Sequence, residues 1–228
     1  MPHRTPARSV RTKHRVFVVD DHPIVRQGIA LLIDQEPDLE VCGEAEEAES
    51  GLAAIAASRP DVVVLDISLP GPDGIDFLKT LRATDPALPV LVLSMHDESV
   101  YAERAIRAGA NGYIMKQEAT ENVLVALRRI LRHEMYVSDR MASAMLRQLA
   151  SGAGRTGQAP IERLSDRELE VFRLIGGGHG TRKIADELHL SVKTVESYQA
   201  HIKEKLALQS SRALVQRAIE WRLEEPAK

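Results

Sequence analysis

Charged and hydroxyl side chains recur in this sequence at the points where short apolar runs end. Four such runs are followed by three carboxylates, one hydroxyl and one ammonium, on Asp20, Asp21, Asp66, Ser94 and Lys116. Short runs rich in β-branched residues are typical of buried parallel strands. Because ligands bind at the carboxyl edge of an open parallel sheet, we expect these side chains to lie together at that edge.

The chemistry that these groups could perform together is phosphoryl transfer. Crowded carboxylates repel one another, and this repulsion raises their pKa values unless a cation joins them. A hard divalent ion such as Mg2+ suits a site whose ligands are all oxygen atoms. An aspartate beside such an ion, a lysine and a hydroxyl could accept a phosphoryl group, because positioning and charge neutralisation carry most of that reaction. Taken singly, each carboxylate could instead cap the helix that follows its strand.

Composition places the chain among globular proteins. Its 228 residues suffice for two small domains, and 44% hydrophobic and 28% charged residues are ordinary values. A single cysteine, Cys42, excludes an intramolecular disulfide and any multi-cysteine zinc site. No apolar run approaches the ~20 residues of a membrane span, and the N-terminal sequence lacks a signal-peptide apolar region. We therefore expect a cytoplasmic protein with no membrane partner.

Charge is distributed unevenly along the chain. Residues 1–15 carry five basic and no acidic side chains, residues 16–135 carry 10 basic and 21 acidic, and residues 136–228 carry 15 basic and 12 acidic. An acidic front part and a mildly basic rear part indicate different binding partners for the two.

Four segments follow from the sequence pattern. Residues 1–15 are polar and aperiodic, which predicts a disordered basic tail. Residues 16–135 alternate five strand patterns with five helical patterns, which predicts an α/β domain with a five-stranded, doubly wound parallel sheet. Residues 136–161 predict a linker with one short helix, and residues 162–228 predict an all-α domain of four helices. The last domain opens on Ser165, which is a predicted N-cap with Glu168 as its capping-box partner.

Both predicted domains resemble known families. Residues 16–135 resemble a response-regulator receiver domain, through the paired acids, the motif D-x-x-x-P-x-x-D-G from Asp66, and the later serine and lysine. Residues 162–223 resemble a LuxR-type helix-turn-helix, through L-S-D-R-E-L-E-V-F from Leu164 and K-I-A-D-E-L-H-L-S-V-K-T-V-E from Lys183. Their order matches the NarL/FixJ family of two-component response regulators.

The resemblance implies a role for each residue of the first site. Asp66 would accept a phosphoryl group from a sensor histidine kinase. Asp21, Asp66 and the carbonyl of Ser68 would bind Mg2+ directly, and Asp20 would act through water.

Three further residues would respond to the phosphoryl group. Lys116 would pair with its oxygens, Ser94 would donate a hydrogen bond to it, and Tyr113 would change rotamer after Ser94. We assign no ligand role to His22, His96 and His179, because they match no metal-binding spacing.

The second resemblance implies DNA binding by a recognition helix over Val192–Leu206. Such a helix enters the major groove of double-stranded DNA with its N-terminal end first. The candidate phosphate contacts are Arg182, Lys183, Lys193 and Thr194, and the candidate base contacts are Glu196, Ser197 and Ala200. Lys203 is a further outward position, although Lys193 and Lys203 could simply be solvated.

A pair of such domains on two half-sites is expected, since one domain buries too little surface for tight binding. Family resemblance places the pairing surface of the homodimer on the last helix, at Ala213, Leu214, Arg217 and Trp221. Trp221 could equally be a core residue. Phosphorylation would shift the population towards open dimers that bind DNA and act with RNA polymerase.

Two other functions compete with this prediction. The first is a phosphorylation-independent transcription regulator whose receiver is degenerate. The second is an enzyme of haloacid-dehalogenase type, which needs an acid two residues after its nucleophile, where this sequence has Ser68. We expect only self-directed phosphoryl transfer and hydrolysis, and no enzyme acting on an external substrate.

Overall fold

The chain divides into two units, Met1–Leu146 and Arg147–Lys228, in this computed structural model. The structure describes residues 13–69, 74–95, 98–150, 160–188 and 190–224. Most of the predicted basic tail and the glycine-rich part of the predicted linker lie outside these residues.

A parallel sheet forms the centre of the first unit and confirms the predicted fold. Its strand order is β2-β1-β3-β4-β5, and the described strands are β1 (His14–Val19), β2 (Leu39–Ala45), β3 (Val62–Asp66), β4 (Val90–Ser94) and β5 (Gly112–Met115). Every residue of β3 and β4 is buried, because these strands lie inside the sheet and between two layers of helices. Continuous apolar runs therefore marked them in the sequence.

Four helices connect successive strands, and a fifth follows β5. They are α1 (Pro23–Asp34), α2 (Ala48–Ser58), α3 (Gly74–Thr84), α4 (Glu98–Arg107) and α5 (Ala119–Leu131). Helices α1 and α5 bury Ile29, Ile33, Val123 and Leu127 in one hydrophobic cluster with alternate residues of the strands. This packing fixes the carboxyl edge of the sheet, where the loops after each strand emerge.

The first unit extends past both of its predicted boundaries. At its start, β1 already includes His14 and Arg15, which the sequence assigned to the tail. At its end, the chain returns after α5 and Tyr136 forms a parallel bridge with Gly112 of β5. The amide of Tyr113 donates to the Tyr136 carbonyl at 2.9 Å, so this segment covers the free edge of β5. A sixth helix, α6 (Asp139–Ala150), follows it.

The second unit is helical throughout its described residues. A 3-10 turn (Pro160–Arg163) precedes the helices α7 (Asp166–Gly176), α8 (Thr181–Glu187), α9 (Val192–Lys205) and α10 (Ser211–Glu224). The predicted capping box is confirmed, because Ser165 and Glu168 each bond the backbone amide of the other. The buried core is formed by Leu164, Leu169, Val171, Phe172, Ile184, Val195, Ile202, Leu214 and Ala218. Across the described residues, every helix is too short or too polar to traverse a lipid bilayer.

Candidate functional site

Buried charged groups gather at the carboxyl edge of the sheet in the first unit. Asp20 directly follows β1, Asp66 ends β3, and Lys116 directly follows β5. β1 and β3 are neighbours at the point where the strand order reverses, which is the usual place for a ligand site in an open α/β sheet. Asp66 is fully buried and Asp20 is 1% exposed, and the side chain of Lys116 is 3% exposed.

One ammonium group bridges the two buried carboxylates. The Nζ atom of Lys116 lies 2.7 Å from Asp66 Oδ2 and 2.8 Å from Asp20 Oδ2. The other oxygen of each carboxylate accepts a backbone N–H, from Ser68 to Asp66 Oδ1 and from His22 to Asp20 Oδ1, each at 2.8 Å. Both carboxylates are therefore held in fixed orientations, with one oxygen on the lysine side.

Burial raises the pKa of the Asp66 carboxyl above its usual value. The ammonium of Lys116 opposes this shift, and the neighbouring charge of Asp20 adds to it. The ionised form of Asp66 is therefore costly in this position unless positive charge stays beside it.

The third predicted acid, Asp21, contacts His22, to which the sequence analysis assigned no ligand role. Its Oδ1 atom lies 2.7 Å from Nδ1 of His22, and the same nitrogen is 3.4 Å from Asp20 Oδ1 and 3.8 Å from Asp66 Oδ2. Spacing along the sequence gave no sign of this, because the ligand atoms meet only when β1 and β3 pair. The available signal was the position of His22 immediately after two acids.

Arg26 is a second residue that the sequence analysis missed. It lies on α1 and is 7% exposed. Its guanidinium donates to the Asp20 carbonyl at 2.6 Å and pairs with Glu46 at 2.6 Å and Glu44 at 3.1 Å. An arginine on the face that buries Ile29 should have indicated such a bond, since a buried charge needs partners. Arg26 thus anchors the loop that carries the acidic pair.

The donor set at this edge fits a divalent cation. One ligand atom from each of Asp20, Asp21, His22 and Asp66 can be chosen so that all lie within 4.8 Å of one another. Three carboxylates against one ammonium leave an excess of negative charge that a dication would balance. The predicted ligand role of the Ser68 carbonyl stays a prediction.

Ser94 and Tyr113 lie on the two strands beyond Asp66. Ser94 is fully buried at the end of β4, and Asp66 is in register with Leu93, the residue before it. Tyr113 is 3% exposed on β5, opposite Val92 of β4. The structure therefore brings the serine to the same edge as Asp66, and the switch roles of both residues stay predictions.

The predicted DNA-binding residues lie on and before α9 in the second unit. Ser191 caps this helix, because its hydroxyl accepts the amide of Thr194 at 3.0 Å. Val195 and Ile202 are fully buried. The predicted contacts divide into the exposed residues Arg182, Lys183, Lys193, Glu196, Ser197 and Ala200 and the half-buried residues Thr194 and Lys203.

Helix α10 buries one of the four residues predicted for pairing, while Ala213 and Arg217 are half-buried and their pairing role stays a prediction. Leu214 is 2% exposed, so its side chain belongs to the core and not to a surface. Trp221 is half-buried and its ring centroid lies 5.7 Å from that of Phe172 on α7, which favours the alternative core role. The apolar residues on the outer face are Val215 and Ile219, which are 43% and 42% exposed. Leu214 and Ala218 are one helical turn apart and both face the core, so the residues that follow each of them, Val215 and Ile219, face outwards.

Comparisons with known proteins match both units. Residues 16–128 match the response regulator receiver domain, and residues 162–218 match the bacterial regulatory proteins of the luxR family. The oxygen regulatory protein NreC of Staphylococcus carnosus is 32% identical over 213 residues, which are 92% of this chain and 98% of that protein. NreC of Staphylococcus aureus is 33% identical over 215 residues, with coverages of 92% and 99%.

Solved structures give the same result. A LuxR-family two-component response regulator from Aurantimonas covers 61% of this chain and 99% of its own, at 34% identity and a TM-score of 0.56. RcsB from Salmonella enterica serovar Typhimurium, bound to a promoter in the presence of the phosphomimetic BeF3-, covers 90% and 97%, at 27% identity and a TM-score of 0.56. With a receiver domain followed by a LuxR-type DNA-binding domain, the chain belongs to the NarL/FixJ family of two-component response regulators.

Proposed function

We propose that Asp66 accepts a phosphoryl group from a sensor histidine kinase, and that this modification promotes pairing of the protein and sequence-specific DNA binding to regulate transcription. The observation that carries the proposal is the buried Asp66 carboxylate, held by Lys116 on one oxygen and by the Ser68 amide on the other. A carboxylate that served only as a helix cap would not need a buried ammonium beside it.

The transfer itself requires little from the protein beyond position and charge. An oxygen of Asp66 attacks phosphorus, the bond from phosphorus to the kinase imidazole nitrogen breaks, and its electron pair stays on that nitrogen. Lys116 then lies beside the new phosphoryl oxygens. Asp20, Asp21, Asp66 and the carbonyl of Ser68 would hold Mg2+, which supplies charge neutralisation when bound.

The modified site would act through Ser94 and Tyr113. A phosphoryl group adds about 1.5 to 2 negative charges and strong hydrogen-bond acceptors. Ser94 lies buried at the same edge, and its hydroxyl can donate to the new group. Tyr113 is buried one strand further on, so a shift of β4 and α4 requires its ring to repack.

Intact mass spectrometry after incubation with Mg2+ and acetyl phosphate tests the acceptor. We expect one phosphoryl adduct on the wild type and none on Asp66→Asn. Asp76→Asn is the matched control, because Asp76 is an exposed aspartate on α3 that pairs only with Lys79 among the described residues, and it should leave the adduct intact. Omission of Mg2+ should strongly reduce the adduct.

The alternative of a degenerate receiver predicts a different result in the same experiment. A folded wild type that stays unmodified in the presence of Mg2+ would contradict the proposal. Regulation would then reside in dimerisation or in a partner protein, and DNA binding would not respond to Asp66→Asn.

Sequence-specific DNA binding is assigned to α9. Its exposed face carries Lys193, Glu196, Ser197 and Ala200, which combine phosphate-binding and base-reading chemistry. RcsB, a relative of the same architecture, is described in complex with DNA. We expect Lys193→Met to weaken binding across all sequences and to lower the salt slope by about 1, whereas Glu196→Ala should relax sequence preference.

Pairing on DNA is assigned to the outer face of α10. Val215 and Ile219 form an exposed apolar stripe between Arg212 and Glu220. A two-fold axis across this stripe would bring opposite charges of the two copies together and cover both apolar residues. Ile219→Asp should therefore abolish dimers of the phosphorylated protein in sedimentation, while Gln216→Glu on the same helix should have a smaller effect. Regulation of transcription would further involve RNA polymerase as a partner.

A further inference from the structure

The ring of His22 lies among the carboxylates and does not cap the helix that it precedes. His22 occupies the N-cap of α1, a position that usually carries Ser, Thr, Asp or Asn because their oxygens bond the first free amides. Its side chain makes no capping hydrogen bond. The ring nitrogen Nδ1 turns instead towards the three acids.

The distances around Nδ1 are those of neighbouring ligands on one cation. Six ligands at about 2.1 Å from a metal are separated by about 3 Å when adjacent and about 4 Å when opposite. Nδ1 of His22 lies 2.7 Å from Asp21 Oδ1, 3.4 Å from Asp20 Oδ1 and 3.8 Å from Asp66 Oδ2. All three values fall in or close to that range.

The surroundings leave one side of this group of atoms for a cation. Lys116 contacts the Oδ2 atoms of both buried acids, and its Nζ also lies 3.5 Å from Nδ1 of His22. The side chain of His22 is 53% exposed and that of Asp21 is 27% exposed, so both border solvent. A dication can therefore reach Asp21 and His22 from the solvent side, and its charge would repel the ammonium from Nδ1.

We propose that His22 Nδ1 is a metal ligand of this site and that it shifts the preference of the site from Mg2+ towards Mn2+ and Co2+. Imidazole nitrogen binds transition-metal dications well, whereas Mg2+ selects oxygen ligands and keeps its water. This inference rests on the proposed function, since it concerns the dication that supports phosphorylation of Asp66.

Nitrogen coordination can be tested directly in the full-length protein with bound Mn2+. Electron spin-echo spectroscopy should show nitrogen coupling that changes when all eight histidines are labelled with 15N. The coupling should vanish in His22→Asn and persist in His179→Asn. His179 is a matched control because its Nδ1 also lies near a carboxylate, at 3.0 Å from Glu187, but in the second unit.

Calorimetric titration measures the selectivity of the site among Mg2+, Mn2+ and Co2+. Loss of one ligand should lower the affinity for Mn2+ and Co2+ by about tenfold or more, in line with the 10- to 100-fold cost of disturbing a metal site. The affinity of His22→Asn for Mg2+ should stay within about twofold of the wild type, because Mg2+ replaces the imidazole by water. His22→Gln provides a second variant if the asparagine form does not fold.

The outcomes separate this inference from the proposed function. Binding of Mg2+ and Mn2+ without nitrogen coupling would overturn the role of His22 and leave phosphorylation of Asp66 unaffected. Equal losses of affinity for all three ions would also overturn it, since His22 would then only position the acids. Absence of any dication binding by the wild type would contradict the metal-dependent reaction itself.

Discussion

The two units of this protein place their charged groups in opposite ways. Among the described residues, the first unit buries Asp20, Arg26 and Asp66, together with the side chain of Lys116. The described part of the second unit buries one charged residue, Glu168, and exposes most of the side chains assigned to DNA. Phosphoryl transfer needs charges that are desolvated and fixed before the reaction, whereas DNA recognition needs charges that can reach a partner.

This difference determines how each unit should respond to substitution. In the buried cluster, every charge has a named partner within 3.1 Å, so the loss of one group leaves another uncompensated. On α9, each side chain contributes separately, so single losses should be small and roughly additive. Substitution of matched residues in the two units tests this distinction.

Lys116→Met should have the largest effect on stability. The change leaves two buried carboxylates without their ammonium, and loss of one partner of a buried pair costs about 3–5 kcal/mol. The deficit should shrink as the pH falls, because the pKa of Asp66 is already raised by burial and protonation removes the unpaired charge. Hydrogen exchange of β3 would measure the change without interference from the second unit.

The matched control for this prediction is Lys193→Met. Lys193 is an exposed lysine on α9, so its loss should change the free energy of unfolding by less than about 0.5 kcal/mol. A loss of stability as large as that of Lys116→Met would show that the contrast between the units is wrong.

Glu168→Ala should show that the second unit depends on its one described buried charge. The Glu168 carboxylate accepts the Ser165 amide at 2.7 Å and lies 2.6 Å from Nζ of Lys205 on α9. Loss of these charge-assisted bonds should cost about 2–3 kcal/mol. Trp221 is the single tryptophan and packs on Phe172, so its fluorescence reports unfolding of this unit.

Glu168→Gln separates the two contacts of that carboxylate. Its amide oxygen can still accept the Ser165 amide, so we expect it to lose about half as much as Glu168→Ala. Equal losses in the two variants would assign the whole effect to the pair with Lys205.

Gly112→Ala tests the segment that covers the edge of β5. A Cβ atom at residue 112 would lie 2.8 Å from the Tyr136 carbonyl oxygen and 2.9 Å from Cδ1 of Ile130, so the segment must move. Overpacking of this kind costs about 1–3 kcal/mol. Faster hydrogen exchange at the Tyr113 amide, which donates to Tyr136, would locate the change.

The sequence predicted those features that depend on short-range periodicity. Strand patterns identified all five strands, and the residues at the ends of the apolar runs identified Asp20, Asp66 and Lys116. The site residues could be found in this way because the strands of a parallel sheet all end at the same edge. Residues that follow different strands therefore lie close together in space.

Features that depend on long-range contact escaped the sequence analysis. The approach of Tyr136 to β5 and of His22 to Asp66 arises only after the sheet has formed. The assignment of Leu214 to a surface failed for a different reason. An apolar residue on a helix gives no sign of whether it faces the core or a partner. Leu214 is buried in α10, whereas the next residue, Val215, is exposed.

A small effect should come from the partly exposed ion pair between α5 and the loop before β2. Arg128 donates to both oxygens of Asp38 at 2.7 and 2.9 Å, and this hydrogen bonding lowers the pKa of Asp38. A lowered pKa in the folded state stabilises the protein above the unfolded pKa of about 4. That stability is lost as the pH falls through the folded value.

The comparison of wild type with Asp38→Asn at pH 7 and pH 3 measures this contribution. Because the Asp38 side chain is 36% exposed, solvent screening should keep the difference at pH 7 below about 1 kcal/mol. The difference should be smaller at pH 3, which is below the unfolded pKa of about 4, and it should shrink in 1 M salt. A deficit that is independent of pH would assign the effect of the substitution to packing, and surface charges of the first unit would then contribute as little as those expected on α9.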